Sequence, residues 1–409
     1  MRAFIIVFVL TFLSSCQETK KEIVTMKEDV YVLADDHLEG REIATLGERL
    51  AAEYLVQRFT DLELQPKGTD GYYQHFSFKP STNPHEKAAI VEQEEDSLAT
   101  GMNVVGYIDN KAETTVVIGA HYDHLGYGGS GSLYREGEAI HNGADDNASG
   151  VAVLLDLAGR LNAPEQPSNN NYLFIAFSGE ETGLLGSNYF VKNPTIDTKK
   201  VNYMLNMDMV GRLNEEKTVA VHGVGTSPIF KQTLFANKDS LNIAEHESGI
   251  GPSDHTSFYL ADIPVLHFFT GQHMDYHKPS DDSEKLNYEG MQMISDYIYN
   301  IISDLDDDDR LEFRKTKNES ETVPDFKVTL GVVPDYLFTG KGMRIDGVSE
   351  DRPAQQSGMQ KGDIVVKMGE HDVVDMMSYM KNLSMFEKGQ TVEVVIDRNG
   401  EQITLDVTF

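Results

Sequence analysis

Phe174-Ile175-Ala176-Phe177-Ser178-Gly179-Glu180-Glu181-Thr182-Gly183-Leu184-Leu185-Gly186-Ser187 is the stretch that decides the fold. The apolar run from Tyr172 to Phe177 has the length and composition of a strand buried on both faces. A Ser-Gly turn follows, then two adjacent acids, then a helix opened by small residues. Ionised carboxylates beside a core are costly unless something positive meets them. Glu180 and Glu181 therefore either begin a helix, whose N-terminal end favours acids, or face a cation.

The rest of the chain bears on that choice. Apolar runs at 103–108, 115–120, 172–177, 203–207, 218–222 and 264–269 read as strands, and they alternate with helix-like runs at 150–161, 184–191, 229–237 and 288–305. An amphipathic helix is expected earlier, over residues 45–59. This alternation predicts an α/β domain with a mostly parallel central sheet and helices on both faces. In such sheets, sites form beyond the carboxyl ends of the strands. The strand ending at Ala120 runs into His121-Tyr122-Asp123-His124, and the strand ending at Met207 into Asp208. Tyr276-His277-Lys278-Pro279 follows the last strand, and the pair Asp145-Asp146 sits just ahead of a helix. A parallel sheet brings these groups to one rim together with Glu180 and Glu181. Two histidines among several carboxylates suit a borderline metal such as zinc. With a single cysteine, a thiolate site is excluded.

Taken in order, His-x-Asp, Gly-Ala-Asp-Asp-x-Ala-Ser-Gly, Glu-Glu-x-Gly-Leu-x-Gly-Ser, Asn-Met-Asp-Met-Val-Gly and Tyr-His-x-Pro resemble the co-catalytic zinc aminopeptidases of the M28 metallopeptidase family, over roughly residues 30–303. The resemblance implies the zinc-exopeptidase fold and two Zn²⁺ ions per chain, bridged by Asp146. His121 and Asp208 complete one ion's ligands, and Glu181 and His277 the other's. Glu180 becomes the general base acting on a metal-bridged water, and Asp123 is expected to hydrogen-bond the non-ligating nitrogen of His121. It also implies a cis peptide after the bridging aspartate, Asp146–Asn147. Ser253-Asp254-His255 resembles a substrate-pocket segment. His255 is then expected either to meet the oxyanion or to be a structural histidine behind a capping Ser-Asp pair, with Asp254 beside it at the substrate. No role is assigned to His124, His141, His267 or His273. Residues 126–131 read as a flexible loop at the cleft, and Arg212 as a contact for a peptide carboxylate. The expected substrates are peptides or protein N-termini. The alternatives are a mono-zinc transferase resembling glutaminyl cyclases and a non-catalytic peptide-binding protein.

The two ends of the chain read differently. Residues 1–15 combine Met1-Arg2 with an apolar run and a Leu-Ser-Ser-Cys box, resembling a bacterial lipoprotein signal, so Cys16 is the expected lipidation site. A tether at 16–28 then leads to the peptidase-like domain at 29–303. This places the protein in the cell envelope, outside the cytoplasm, and held to membrane only through lipid. The acidic stretch 304–323 reads as a solvated linker. Residues 324–409 resemble a small β-rich PDZ domain, with Leu330, Gly331 and Val332 in its carboxylate-binding loop and a groove for a peptide C-terminus. A net charge of −31 argues against nucleic acid as a partner.

Overall fold

The computed structural model describes residues 24–80, 89–90, 98–163, 168–308, 310–316, 327–335, 338, 340–348 and 352–409. Cys16 and the lipoprotein-like segment lie outside the described residues.

The first unit is built on a ten-stranded sheet. Its strands are β1 (Gln65–Pro66), β2 (Tyr73–Lys79), β3 (Ala89–Ile90), β4 (Ala99–Ile108), β5 (Thr114–His121), β6 (Asn170–Phe177), β7 (Val201–Met207), β8 (Thr218–His222), β9 (Asn242–His246) and β10 (Val265–Phe269). The order is β3-β2-β4-β6-β5-β7-β10-β8-β9, with β1 paired to β4. The four central strands, β6-β5-β7-β10, are mutually parallel, as the alternating pattern predicts. The flanks are not: β4 runs antiparallel to β6, and β8 antiparallel to β10. The sheet is therefore mixed, with its parallel part at the centre where the site residues lie.

Helices cover both faces. They are α1 (Met26–Leu33), α2 (Leu46–Asp61), α3 (Gly150–Leu161), α4 (Leu185–Lys192), α5 (Phe230–Asn237), α6 (His255–Tyr259) and α7 (Tyr288–Leu305). Side chains alternate across a strand, and β6 shows the result. Tyr172, Phe174 and Ala176 join one core with α1, α2, α3, α5 and α7, whereas Leu173, Ile175 and Phe177 join a second with Phe190 of α4 and Phe258 of α6. All eight residues of β6 are buried, which is why the stretch reads as a continuous apolar run. Helix α7 buries Met291, Ile294, Ile298, Ile301 and Leu305 along one stripe, and Asn287 caps it by accepting from the Gly290 amide.

Two boundaries differ from those read in the sequence. Helix α1 starts at Met26, inside the stretch read as tether, because Thr25 and Glu28 form a capping box there. The stretch read as a solvated linker is partly docked. Leu311 packs on the first core and Phe313 on the second. The Leu311 amide donates to Asn202 Oδ1 and the Arg314 amide to the Thr226 carbonyl, each at 2.8 Å, so the first unit runs through Thr316.

The C-terminal unit has a six-stranded antiparallel sheet of β11 (Val332–Pro334), β12 (Met343–Val348), β13 (Ile364–Met368), β14 (His371–Asp372), β15 (Thr391–Arg398) and β16 (Glu401–Thr408). Helices α8 (Pro353–Gln356) and α9 (Met376–Leu383) complete it. Strand β11 is an edge strand, pairing only with β12 among the described strands. Leu330 is fully buried in this unit's own core, and the Gly331 amide is held by Thr329 Oγ1 at 3.1 Å. Of the three loop residues, Val332 opens the edge strand.

Candidate metal centre

Each of the five expected ligands sits just past a central strand or in a loop braced against one. His121 ends β5, and its Nδ1 donates to the main-chain carbonyl of Asp123 at 3.1 Å. That leaves Nε2 facing Asp146 Oδ1 and Asp208 Oδ1, each at 3.3 Å. His277 is held in the same way, with Nδ1 donating to the Gly131 carbonyl at 2.9 Å. Its Nε2 faces Asp146 Oδ2 at 3.3 Å and Glu181 Oε2 at 3.2 Å. The two oxygens of Asp146 thus look at different histidines. Glu180 lines the cavity that opens onto this cluster.

These distances fit a tetrahedral metal at each pole. Ligand atoms about 2.0–2.1 Å from a tetrahedral ion stand about 3.3–3.4 Å from one another. A carbonyl on each Nδ1 also fixes the tautomer that presents a lone pair at Nε2. His124 is different. It adjoins Asp146 and Glu181, and its Nδ1 lies 2.7 Å from Glu181 Oε1. That is hydrogen-bond distance, too close for two ligands of one tetrahedral ion, so His124 orients Glu181.

Electrostatics makes the same case. Asp146, Glu181 and Asp208 crowd a site with very little solvent contact. Burial lowers His277, but the Glu181 and Asp146 carboxylates outweigh it and lift the imidazole to about 11. Burial also pushes Glu180 well above the usual carboxylate range; His121 opposes this, and Asp208 and Glu181 add to it. So much negative charge in one place calls for cations.

Several expectations need correction. The Asp123 carboxylate lies 3.7 Å from His121 Nδ1, which bonds its main-chain carbonyl instead. That carboxylate accepts from the amides of Glu180 and Glu181, at 3.1 and 3.4 Å. Asp123 therefore fixes the turn carrying both acids. His255 and Asp254 are fully buried, and neither lines the cavity; His255 stacks behind His267, with ring centroids 4.4 Å apart. Arg212 is engaged by Asp275 at 2.8 Å rather than offered to a substrate. The end of the glycine-rich loop braces His277 through the Gly131 carbonyl. The Asp146–Asn147 peptide is cis, as the resemblance implies.

Three buried residues that hold the site together were not singled out from the sequence. Arg41 donates to the carbonyls of Tyr122 (2.7 Å), Asn142 (2.6 Å) and Gly143 (3.0 Å), tying the end of β5 to the Asp146 loop. Asp281 accepts from the Asp145 and Asp146 amides at 2.9 and 3.1 Å. Glu48 accepts from Ser178 Oγ at 2.5 Å and from the Met102 amide at 3.1 Å, and burial raises it to about 7.

Known proteins resemble this chain in both units. The profile of peptidase family M28 matches residues 103–302, and that of the PDZ domain residues 311–409. Aminopeptidase YwaD of Bacillus subtilis is 29% identical over 234 residues, covering 51% of this chain and 47% of that protein. The chain spans about half the length of the curated relatives it matches. Among solved structures, a zinc aminopeptidase from Bacillus subtilis aligns with a TM-score of 0.52 at 18% identity, covering 71% of this chain and 96% of that one. Glutaminyl cyclase from Porphyromonas gingivalis aligns with a TM-score of 0.54 at 15% identity, covering 68% and 97%. At such identities the structures speak for the fold. With the ordered motifs, the profile matches make residues 103–302 similar to a peptidase family M28 domain, and residues 311–409 to a PDZ domain.

Proposed function

We propose that the chain is a zinc-dependent aminopeptidase removing N-terminal residues from peptides. In this reading His121, Asp208 and Asp146 would hold one zinc ion, and His277, Glu181 and Asp146 a second. The observation that carries it is the even spacing of donors around the two poles of Asp146, at 3.2–3.3 Å. Bound there, the ions supply Lewis acidity and lower the pKa of the attacking water. Glu180 would act as the general base, taking a proton from the attacking water and passing it to the leaving amine. Asp123 keeps the Glu180 main chain in place, and Asp208 at the rim pairs with the substrate's free amine.

The test is zinc content measured beside hydrolysis of a panel of amino-acid arylamides. About two ions per chain at saturation, with activity abolished by a chelator and restored by zinc, is the expected result. One ion at saturation, with cyclisation of N-terminal glutamine and no peptide hydrolysis, would instead establish the mono-zinc transferase.

Two further parts of the reading concern the ends of the chain. The open edge of β11 suits strand addition by a peptide C-terminus. Truncation after Thr316, which keeps the docked segment, should leave arylamide hydrolysis within about twofold. It should lower kcat/KM on longer peptides by about tenfold or more, because a second weak site raises effective concentration. Unchanged kcat/KM at all lengths would reduce the PDZ domain to an appendage, and loss on the arylamide too would show that it buttresses the catalytic domain. Cys16 is proposed as the acylated residue that anchors the protein outside the cytoplasm. Cys16→Ser should move it from the membrane to the soluble fraction of cells, and unchanged fractionation would remove the anchor from the account.

A further inference from the structure

A row of polar side chains crosses the sheet beside the metal centre. Asn206, His267, His222 and His246 occupy matching register positions on β7, β10, β8 and β9. The rings follow one another along the row: His222 stacks on His246 at 4.3 Å and 12°, and is tilted by 46° against His267 at 5.5 Å. His255 covers the far side of His267 at 4.4 Å and 4°, and Phe269 continues the row at 6.2 Å and 17°. Asn206 Nδ2 donates to His267 Nδ1 at 3.1 Å, which leaves Nε2 as the protonated nitrogen. Burial pushes His222, His255 and His267 well below the usual imidazole range, so they are neutral near pH 7.

His222 and His267 form part of the wall of the cavity that reaches the metal centre, together with Met209, Pro252, Phe269 and Tyr276. The described residues lining that cavity include no lysine, no arginine and no valine, leucine or isoleucine. Away from the acids, the wall is thus made mainly of ring faces and edges, with a thioether, a proline and the amide of Gln272, and it carries no positive side chain besides what the metal-facing histidine brings. A flat aromatic side chain fits such a wall, since offset or edge-on ring contacts add to simple area burial. A carboxylate placed against this wall would lose its water without finding a lysine or arginine partner.

We propose that this imidazole-walled end is the pocket for the side chain of the substrate's N-terminal residue, and that it selects aromatic residues over aliphatic and acidic ones. The proposal rests on the aminopeptidase reading and adds to it a substrate class and two specificity-determining residues, His222 and His267.

The experiment compares kcat/KM of the full, zinc-loaded chain on phenylalanine, leucine and glutamate amides carrying the same arylamine. Phenylalanine should exceed leucine by about 3- to 10-fold, the size of one aromatic contact. Glutamate should fall at least about 100-fold below leucine, as expected for a buried unpaired charge. His267→Leu and His222→Leu, checked for zinc content and circular dichroism, should each bring the phenylalanine-to-leucine ratio toward one. Leucine equal to or better than phenylalanine in the unaltered chain overturns the proposal, as does glutamate within tenfold of leucine. These two readouts need no variant. A wild-type ratio retained in both folded variants also overturns the assignment to the histidines. Hydrolysis of leucine amide alone would leave the aminopeptidase reading standing while this one fell. Hydrolysis of none of the three by a chain holding two zinc ions would remove both.

Discussion

Glu180→Gln leaves a folded, zinc-binding protein whose kcat falls by about 10²–10⁴-fold, the usual worth of a positioned general base. The substitution is nearly isosteric. Its main-chain amide still donates to Asp123, so the turn that carries Glu181 is undisturbed. None of the donor pairs at 3.2–3.3 Å involves Glu180. Zinc content should therefore stay at the unaltered level, and KM should change little, because the lost function acts in the transition state. The measurement is steady-state kinetics on one arylamide beside metal analysis of the same preparation. A kcat within threefold of the original would reduce Glu180 to an acid that opens a turn.

The second large effect is expected at Asp146. It is the one side chain whose two oxygens face both histidines, so Asp146→Ala removes a ligand from each pole at once. Zinc should fall below one ion per chain, and activity should drop by more than about 10⁴-fold, because metal and base contributions fail together. The rise in Tm that zinc gives the unaltered chain, which follows from binding to the folded state alone, should disappear as well. Burial raises the Asp146 carboxyl, but His124, His121 and His277 outweigh it and hold it well below the usual carboxylate range, so near neutral pH its loss should also lower stability without zinc. Two retained ions would show that Asp146 does not bridge.

The central strands and the acids and histidines just beyond them were legible because buried parallel strands are continuous apolar runs, and a polar residue at such an end stands out. Direction was not legible. The run at 103–108 looks the same whether it lies parallel or antiparallel to Tyr172–Phe177, and only the pairing decides that it is antiparallel. Sequence also cannot tell a carboxylate from the carbonyl of the same residue, which is why Asp123 was given the wrong contact to His121. Arg41, Asp281 and Glu48 act across the fold on segments far away in the chain, and no local pattern marks them. The docking of residues 311–316 did leave a trace, since Leu311 and Phe313 are alternate apolar residues in a stretch otherwise charged. His124 was visible beside Asp123, but its partner Glu181 lies on another strand's end.

The strand order has a consequence for how the protein is made. Strand β5 pairs with both β6 and β7, and β7 with β10, so the neighbours at the site come from widely separated parts of the chain. Such non-local pairings close late and slow the folding of a domain. No single segment offers a donor set that could capture an ion beforehand, because His121, Asp146, Asp208 and His277 meet only once β10 is laid down. Zinc, on the proposed reading, would therefore act on the finished molecule, lengthening the lifetime of the native state by slowing unfolding while leaving the folding rate to the sheet.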